Sequence, residues 1–352
     1  MLEKFVKYYY RKIFDAKFIK LIFIFILIFS IMFLFNNMLT PLFIVIVLTY
    51  LLEYPVQKIE NFGLSRTISV SVILMIFIGI SIMVILVMMP IIWQQAINLI
   101  LDLPSMANIF NQNIKLFSEN HPIFVNAGIV DIIINNLRTQ LSNLGKSFIK
   151  YSFSSLIEII TFLMYLVLVP LIVFFLLKDK IKIFFRIKNF LYFDYIFFKN
   201  IWKEINQQIR KYIQGKVIEM MIVGISTYLV FIFLNMNYSL FLSVLVGMSV
   251  FIPYIGAIFV SIPVILVGLF QWGFSSDFWT LFISYIIIQT IDGNILVPIL
   301  FSEVINLHPL IIIFSIIFFG GLLGFWGVFF AIPLAIFIKS IINVYLRQTI
   351  LF

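Results

Sequence analysis

The sequence predicts an all-α, polytopic membrane protein, and three observations lead there. Of its 352 residues, 63% are hydrophobic and 11% are charged, shares well outside those of soluble domains. Apolar stretches that meet the length of roughly 20 residues needed to cross a hydrocarbon core as a helix recur along the chain. Lys and Arg gather in two of the intervening segments and thin out in a third, the asymmetry that sets orientation in a bilayer. A soluble enzyme is thereby excluded, and the lipid bilayer is the first partner implied.

Taken in order, a basic N-terminal segment, 1–18, precedes apolar stretches at about 19–35, 38–52 and 69–91, which make three crossings within 19–92. The first lacks a small-residue cleavage site and runs at once into the second, so it reads as a retained anchor. Asn36 and Asn37 would form the turn between them. Residues 93–152 follow as a long segment poor in positive charge, then a fourth crossing at 153–177, a basic segment at 178–212, and a C-terminal transmembrane region, 213–346, with apolar stretches at 213–234, 239–270, 278–297 and 309–343. Lys4, Lys7, Arg11, Lys12, Lys17 and Lys20 place the N-terminus in the cytoplasm. The basic segment, rich in Lys and Arg from Lys178 to Lys211, lies four crossings later and so on the same side. Segment 93–152 then lies outside. Within it, Val130, Ile133, Ile134, Leu137, Leu141, Leu144 and Phe148 recur at steps of three and four, the pattern of an amphipathic helix lying on the membrane surface, against another subunit, or as a lid. The aromatic residues mixed into 178–212 suit a membrane interface, and no nucleic-acid partner is expected.

Cysteine is absent and there are two histidines, His121 and His308. Thiolate chemistry is excluded, and neither a metal site nor a cofactor is expected. No Ser-His or Ser-Lys pair has a usable spacing, so an intramembrane enzyme is not expected either.

The polar residues inside the C-terminal region are the functional candidates. The stretch 239–270 is longer than one crossing needs at 1.5 Å per residue, and FIPYIGA lies at its middle. Pro253 cannot donate a backbone hydrogen bond and Gly256 lets the chain bend, so a break near Tyr254 is predicted. Such a break is tolerated in a membrane only where it is buried in protein or lines a cavity. The stretch QTIDGNILVP, 289–298, repeats that logic with charge added. Gln289 and Asp292, three apart, share a helix face, and Gly293 and Asn294 interrupt the pattern. An intramembrane carboxylate is costly, by about 2.5–3.5 kcal/mol on insertion scales, and is a functional candidate by default. Asp292 is therefore the expected coupling charge, with capping of a half-helix as the simpler alternative. Glu158 and His308 are lesser coupling candidates; Glu158 can snorkel out and His308 can open a helix before Pro309. Glu219 and Lys216 are expected to pair locally at the cytoplasmic end of their helix. Gly320, Gly321, Gly324 and Gly327 leave one helix face bare, as close helix packing requires. With the outer amphipathic helix, that face would serve contacts between copies, and a homo-oligomer is expected.

PYIGA at 253–257, the block from Gln289 to Pro298, LHP at 307–309, the glycine run and AIPL at 331–334 together resemble the autoinducer-2 exporter (AI-2E) family of bacterial membrane proteins. LTYLLEYPV at 48–56, GLSR at 63–66, FFLLKDK at 174–180 and YIQG at 212–215 fit the same pattern in the same order. The resemblance implies a multi-pass permease of the bacterial inner membrane with about eight helices and both termini cytoplasmic. It implies export of the furanone signal autoinducer-2 or, for some members, exchange of sodium or lithium for protons. This chain departs from the pattern at Ser302 and Glu303, where the family commonly has Gly and Lys, a change of charge that bears on substrate or ion preference. Three readings follow: a proton-driven exporter of a small polar organic signal, an antiporter in which Asp292 binds the cation itself, and a non-transporting membrane scaffold.

Overall fold

The computed structural model describes residues 40–120, 156–191, 195–253, 255–301 and 307–350. All of its regular structure is helical, and among the described residues seven helices are long and apolar enough to cross a membrane. In chain order, α1 is Thr40–Glu60, α2 Arg66–Asn120, α3 Leu156–Lys178, α4 Lys180–Leu191 and α5 Tyr195–Phe233. The C-terminal region follows as α6 Ser239–Ser249, α7 Ile255–Trp272, α8 Ser276–Ile291, a π-helical turn Asp292–Leu296, α9 Val297–Phe301, α10 Pro309–Phe329 and α11 Ala331–Ile350. The predicted first crossing at 19–35, the amphipathic pattern from Val130 to Phe148, Tyr254, and the Ser302–Glu303 departure lie outside the described residues.

The chain forms two compact units, one of residues up to 74, 165–213 and from 304 on, the other of 75–164 and 214–303. In the first, Gly63 has a φ of 95° in the short turn between α1 and α2, a backbone state that favours glycine. Arg66 then ties the elements together, with its guanidinium donating to Glu60 at 2.9 Å, to Glu53 at 3.2 Å and to the Leu177 carbonyl at 2.8 Å. The last contact caps an orphan carbonyl at the end of α3. Phe43 of α1 stacks on Trp326 of α10 at 5.4 Å, and the Trp326 indole donates to Thr40 at 3.2 Å.

In the second unit the core is built by Val223, Phe231, Leu242, Val246, Val267 and Leu281 with their neighbours. Helices α5 and α6 approach backbone to backbone at Gly224 and Gly247: a Cβ on Gly247 would lie 3.2 Å from the Gly224 Cα and 3.0 Å from the Met220 carbonyl. Tyr238 donates to Asp102, Gln95 accepts from the Phe241 amide at 2.9 Å, and Gln271 braces the connection before α6 through Asn235 and Asn237.

Two features of the C-terminal region differ from the sequence expectation. DGN does not separate two half-helices. It forms a π turn, in which the Val297 amide reaches back to the Asp292 carbonyl, and the helix runs on into α9. Pro298 supplies the reason: its ring would press on the Asn294 carbonyl of a regular α-helix, and widening the preceding turn relieves that clash. The glycine run is not a bare face on a straight helix either. Gly324, with a φ of 58°, kinks α10, and a Cβ on Gly327 would meet the Phe319 carbonyl oxygen at 1.8 Å. Gly327 thus lets the chain turn back on itself; Gly320 has Val328 in close range, and a Cβ on Gly321 would meet nothing within 4 Å.

Candidate functional site

The break predicted at FIPYIGA is present. Helix α6 stops at Ser249 and α7 begins at Ile255. Because Pro253 has no N–H, the Ser249 carbonyl accepts instead from Ile252 at 3.0 Å, and the Gly256 amide donates to the Ile252 carbonyl at 2.9 Å. The turn is so tight that a Cβ on Gly256 would stand 2.0 Å from the Ser249 oxygen.

Unwinding also releases the Val250 carbonyl, and its partner is a buried charge. Lys216 of α5 donates to it at 3.0 Å, places the same ammonium 2.8 Å from a Glu219 carboxylate oxygen, and lies 5.1 Å from the centre of the Phe301 ring. The Lys216 and Glu219 side chains are 7% and 2% exposed, so the pair is buried within the protein. The ammonium aims its aligned hydrogen bond at the carbonyl and meets Glu219 as an ion-pair contact. Gly215 makes room beside it, since a Cβ there would lie 2.7 Å from the Phe301 ring.

Asp292, half-buried at the head of the π turn, is in electrostatic range of both Lys216 and Glu219. One of its carboxylate oxygens is buried without a hydrogen-bond partner. The cluster therefore sets two carboxylates against one ammonium, on two candidate membrane spans. With all three groups ionised it carries one net negative charge, which a proton or a small cation would neutralise at low cost in a medium where Coulomb forces are strong.

The other predicted residues fall in different places. Gln289 is half-buried one turn before Asp292, whereas Asn294 is exposed and turns its amide back to the Thr290 carbonyl at 3.0 Å. Pro253 and Gly256 shape the break. His308 is an exposed helix cap whose Nδ1 accepts from the Leu310 amide at 3.3 Å. Glu158 lies in the first turn of α3, and its side chain is outside the described residues. Lys216 and Glu219 do pair as expected, but the sequence reading left them out of the site; the missed signal is a Lys and a Glu three apart with apolar helix on the C-terminal side.

Comparison with known proteins bears on what such a cluster serves. The family model described as "AI-2E family transporter" matches residues 21–347. The chain is 48% identical over 343 residues, 97% of either chain, to a protein of Escherichia coli strain K12 described as "Putative permease PerM". It is 26% identical over 306 residues, 83% of this chain and 80% of the other, to "Putative transport protein YueF" of Bacillus subtilis strain 168. A membrane-crossing helical chain with a buried charge cluster at a helix break, matched along nearly its whole length by that model, belongs to the AI-2E family of membrane transporters.

Proposed function

We propose that this protein is a secondary transporter that exports a small, polar, furanone-like signal across the bacterial inner membrane at the expense of the proton gradient. The observation that carries the reading is the Lys216–Glu219–Asp292 cluster at the unwound end of α6. Two carboxylates share one ammonium, so a single proton converts the site from net negative to neutral. Neutralisation weakens the hold of Lys216 on Glu219 and frees the ammonium for the Val250 carbonyl alone. Proton binding would thus change how the break between α6 and α7 is held, which is the kind of backbone element that opens and closes in transporters built on discontinuous helices. Gln289 and the backbone groups of the break would meet the uncharged solute. Cytoplasmic termini and a homo-oligomer are part of the same proposal.

A second reading has its own support. The same pair of carboxylates, Glu219 and Asp292, with the Val250 carbonyl beside them, is a set of hard oxygen donors of the kind that sodium or lithium accepts, and the site would then exchange that cation for protons. The transport descriptions of the relatives favour either reading over a scaffold.

The test is uptake of labelled autoinducer-2 into proteoliposomes with an imposed pH gradient. Gradient-driven accumulation that falls at least tenfold in Asp292→Asn is expected. Sodium- or lithium-dependent proton exchange without furanone uptake would move the assignment to the antiporter, and neither activity in the intact protein would overturn both.

A further inference from the structure

A second feature lies in the first unit. Between α1, the end of α3, α4 and α5 there is a cavity of about 410 Å³, within the range of roughly 300–1,000 Å³ usual for small-molecule sites. Its lining is divided by chemistry. Ile46, Leu176, Ile183 and Trp202 form a hydrocarbon wall, and Thr49, Tyr50, Asn206 and the ion pair of Glu53 with Lys180 contribute polar groups. Such a lining suits a ligand with an apolar body and one polar head.

Charge decides the sign of that head. Glu53, with a side chain 3% exposed, receives Lys180 at 3.0 Å, Arg66 at 3.2 Å and Gln57 at 2.8 Å. Arg66 is shared with Glu60. Arg210 donates to Gln57 at 3.2 Å, keeps a buried Nε without a partner, and acts electrostatically on Tyr50, which lines the cavity. Three cations, Arg66, Lys180 and Arg210, thus stand against two carboxylates, Glu53 and Glu60. The Thr49 hydroxyl is buried with no hydrogen-bond partner, and Lys180 makes one hydrogen bond, to Glu53, so an ammonium and a hydroxyl donor remain available at the polar lining.

We infer that this cavity binds a single-chain anionic amphiphile, an alkyl carboxylate or alkyl phosphate, with its chain against Ile46, Leu176, Ile183 and Trp202 and its head on Lys180 and Thr49. The placement suits a ligand drawn from the bilayer: α1 and the end of α3 belong to candidate membrane spans, and Lys180 follows directly beyond the second, where long cationic side chains reach an interface. The inference does not depend on what the protein transports.

Trp202 provides the readout. The full-length protein in phosphatidylcholine nanodiscs is titrated with bromododecanoate, and the quenching due to Trp202 is taken as the difference from a Trp202→Phe protein. Saturable quenching is expected, with competition by dodecanoate or dodecyl phosphate and at least tenfold weaker competition by dodecanol. Preference between the two anions identifies the head group. Lys180→Gln is expected to weaken binding at least tenfold, since charge-assisted hydrogen bonds are the strong ones. Because that change also unpairs Glu53, the double variant Ile46→Phe, Leu176→Phe fills the cavity with every charge in place and should abolish the saturable phase. Non-saturating quenching, equal competition by dodecanol, or unchanged affinity in the filled variant would overturn the inference.

Discussion

Lys216 of α5 donates to the Val250 carbonyl at 3.0 Å, so a buried charge on one helix completes the backbone of a break in another. The same ammonium holds Glu219 at 2.8 Å. Removing it strands two groups at once. Lys216→Met is expected to lower stability by about 3 kcal/mol or more, the order found when one partner of a buried ion pair is deleted, and to abolish transport. The double variant Lys216→Met, Glu219→Met should recover a measurable part of the stability and none of the transport. Denaturant midpoints in mixed micelles measure the first quantity, and a double variant less stable than Lys216→Met would contradict the pairing.

Glycines at two of the C-terminal irregularities predict opposite outcomes. Gly256→Ala must displace backbone, because its Cβ would stand 2.0 Å from the Ser249 oxygen. We expect little folded protein from it in detergent-solubilised gel filtration. Gly293→Ala meets nothing within 4 Å and lies inside a helical turn, where alanine is favoured by roughly 0.5–1 kcal/mol. It should fold as well as the parent or better. A Gly293→Ala protein that misfolds would mean that the turn at Asp292 needs a conformation only glycine reaches.

The contrast between those glycines also shows how far the sequence could be read. The apolar helices of the described residues were legible because an apolar run of about 20 residues has one low-cost disposition, across a bilayer. FIPYIGA was legible because Pro253 removes a donor and Gly256 permits a tight turn, both local facts. DGN was not, because glycine permits a break without requiring one. Pro298 could be accommodated by a π turn, and which solution prevails depends on packing. The charge cluster was half legible for the same reason. Asp292 announces itself as an acid within an apolar run, and Lys216 and Glu219 announce a pair three residues apart. That Asp292 comes within electrostatic range of that pair depends on packing between elements distant in sequence, and that Lys216 reaches the Val250 carbonyl depends on α5 and α6 approaching at Gly224 and Gly247.

That approach is itself testable. A Cβ on Gly247 would lie 3.2 Å from the Gly224 Cα and 3.0 Å from the Met220 carbonyl, so a β-branched side chain there must push α6 from α5. Gly247→Val should lengthen the Lys216–Val250 contact and reduce transport at least tenfold while leaving the first unit intact. Gly247→Ala, which places only a methyl group against the same backbone, should fall between Gly247→Val and the parent. A Gly247→Val protein that transports as well as the parent would place the helices farther apart than the backbone contact requires.

Arg66 offers a last prediction, in the first unit. Its planar guanidinium reaches Glu60, Glu53 and the Leu177 carbonyl in different directions, at 2.9, 3.2 and 2.8 Å. An ammonium on a shorter set of donors cannot span all three, so Arg66→Lys is not conservative here. The neighbouring cation does not rescue it, because Lys180 already occupies one Glu53 oxygen. Losing the Leu177 cap and one carboxylate contact is expected to cost about 1–3 kcal/mol, with Arg66→Ala costing more. Since the charge cluster of the second unit has no part in these contacts, transport per folded molecule should be unchanged in Arg66→Lys. A variant that folds normally yet fails to transport would instead place Arg66 in the transport cycle.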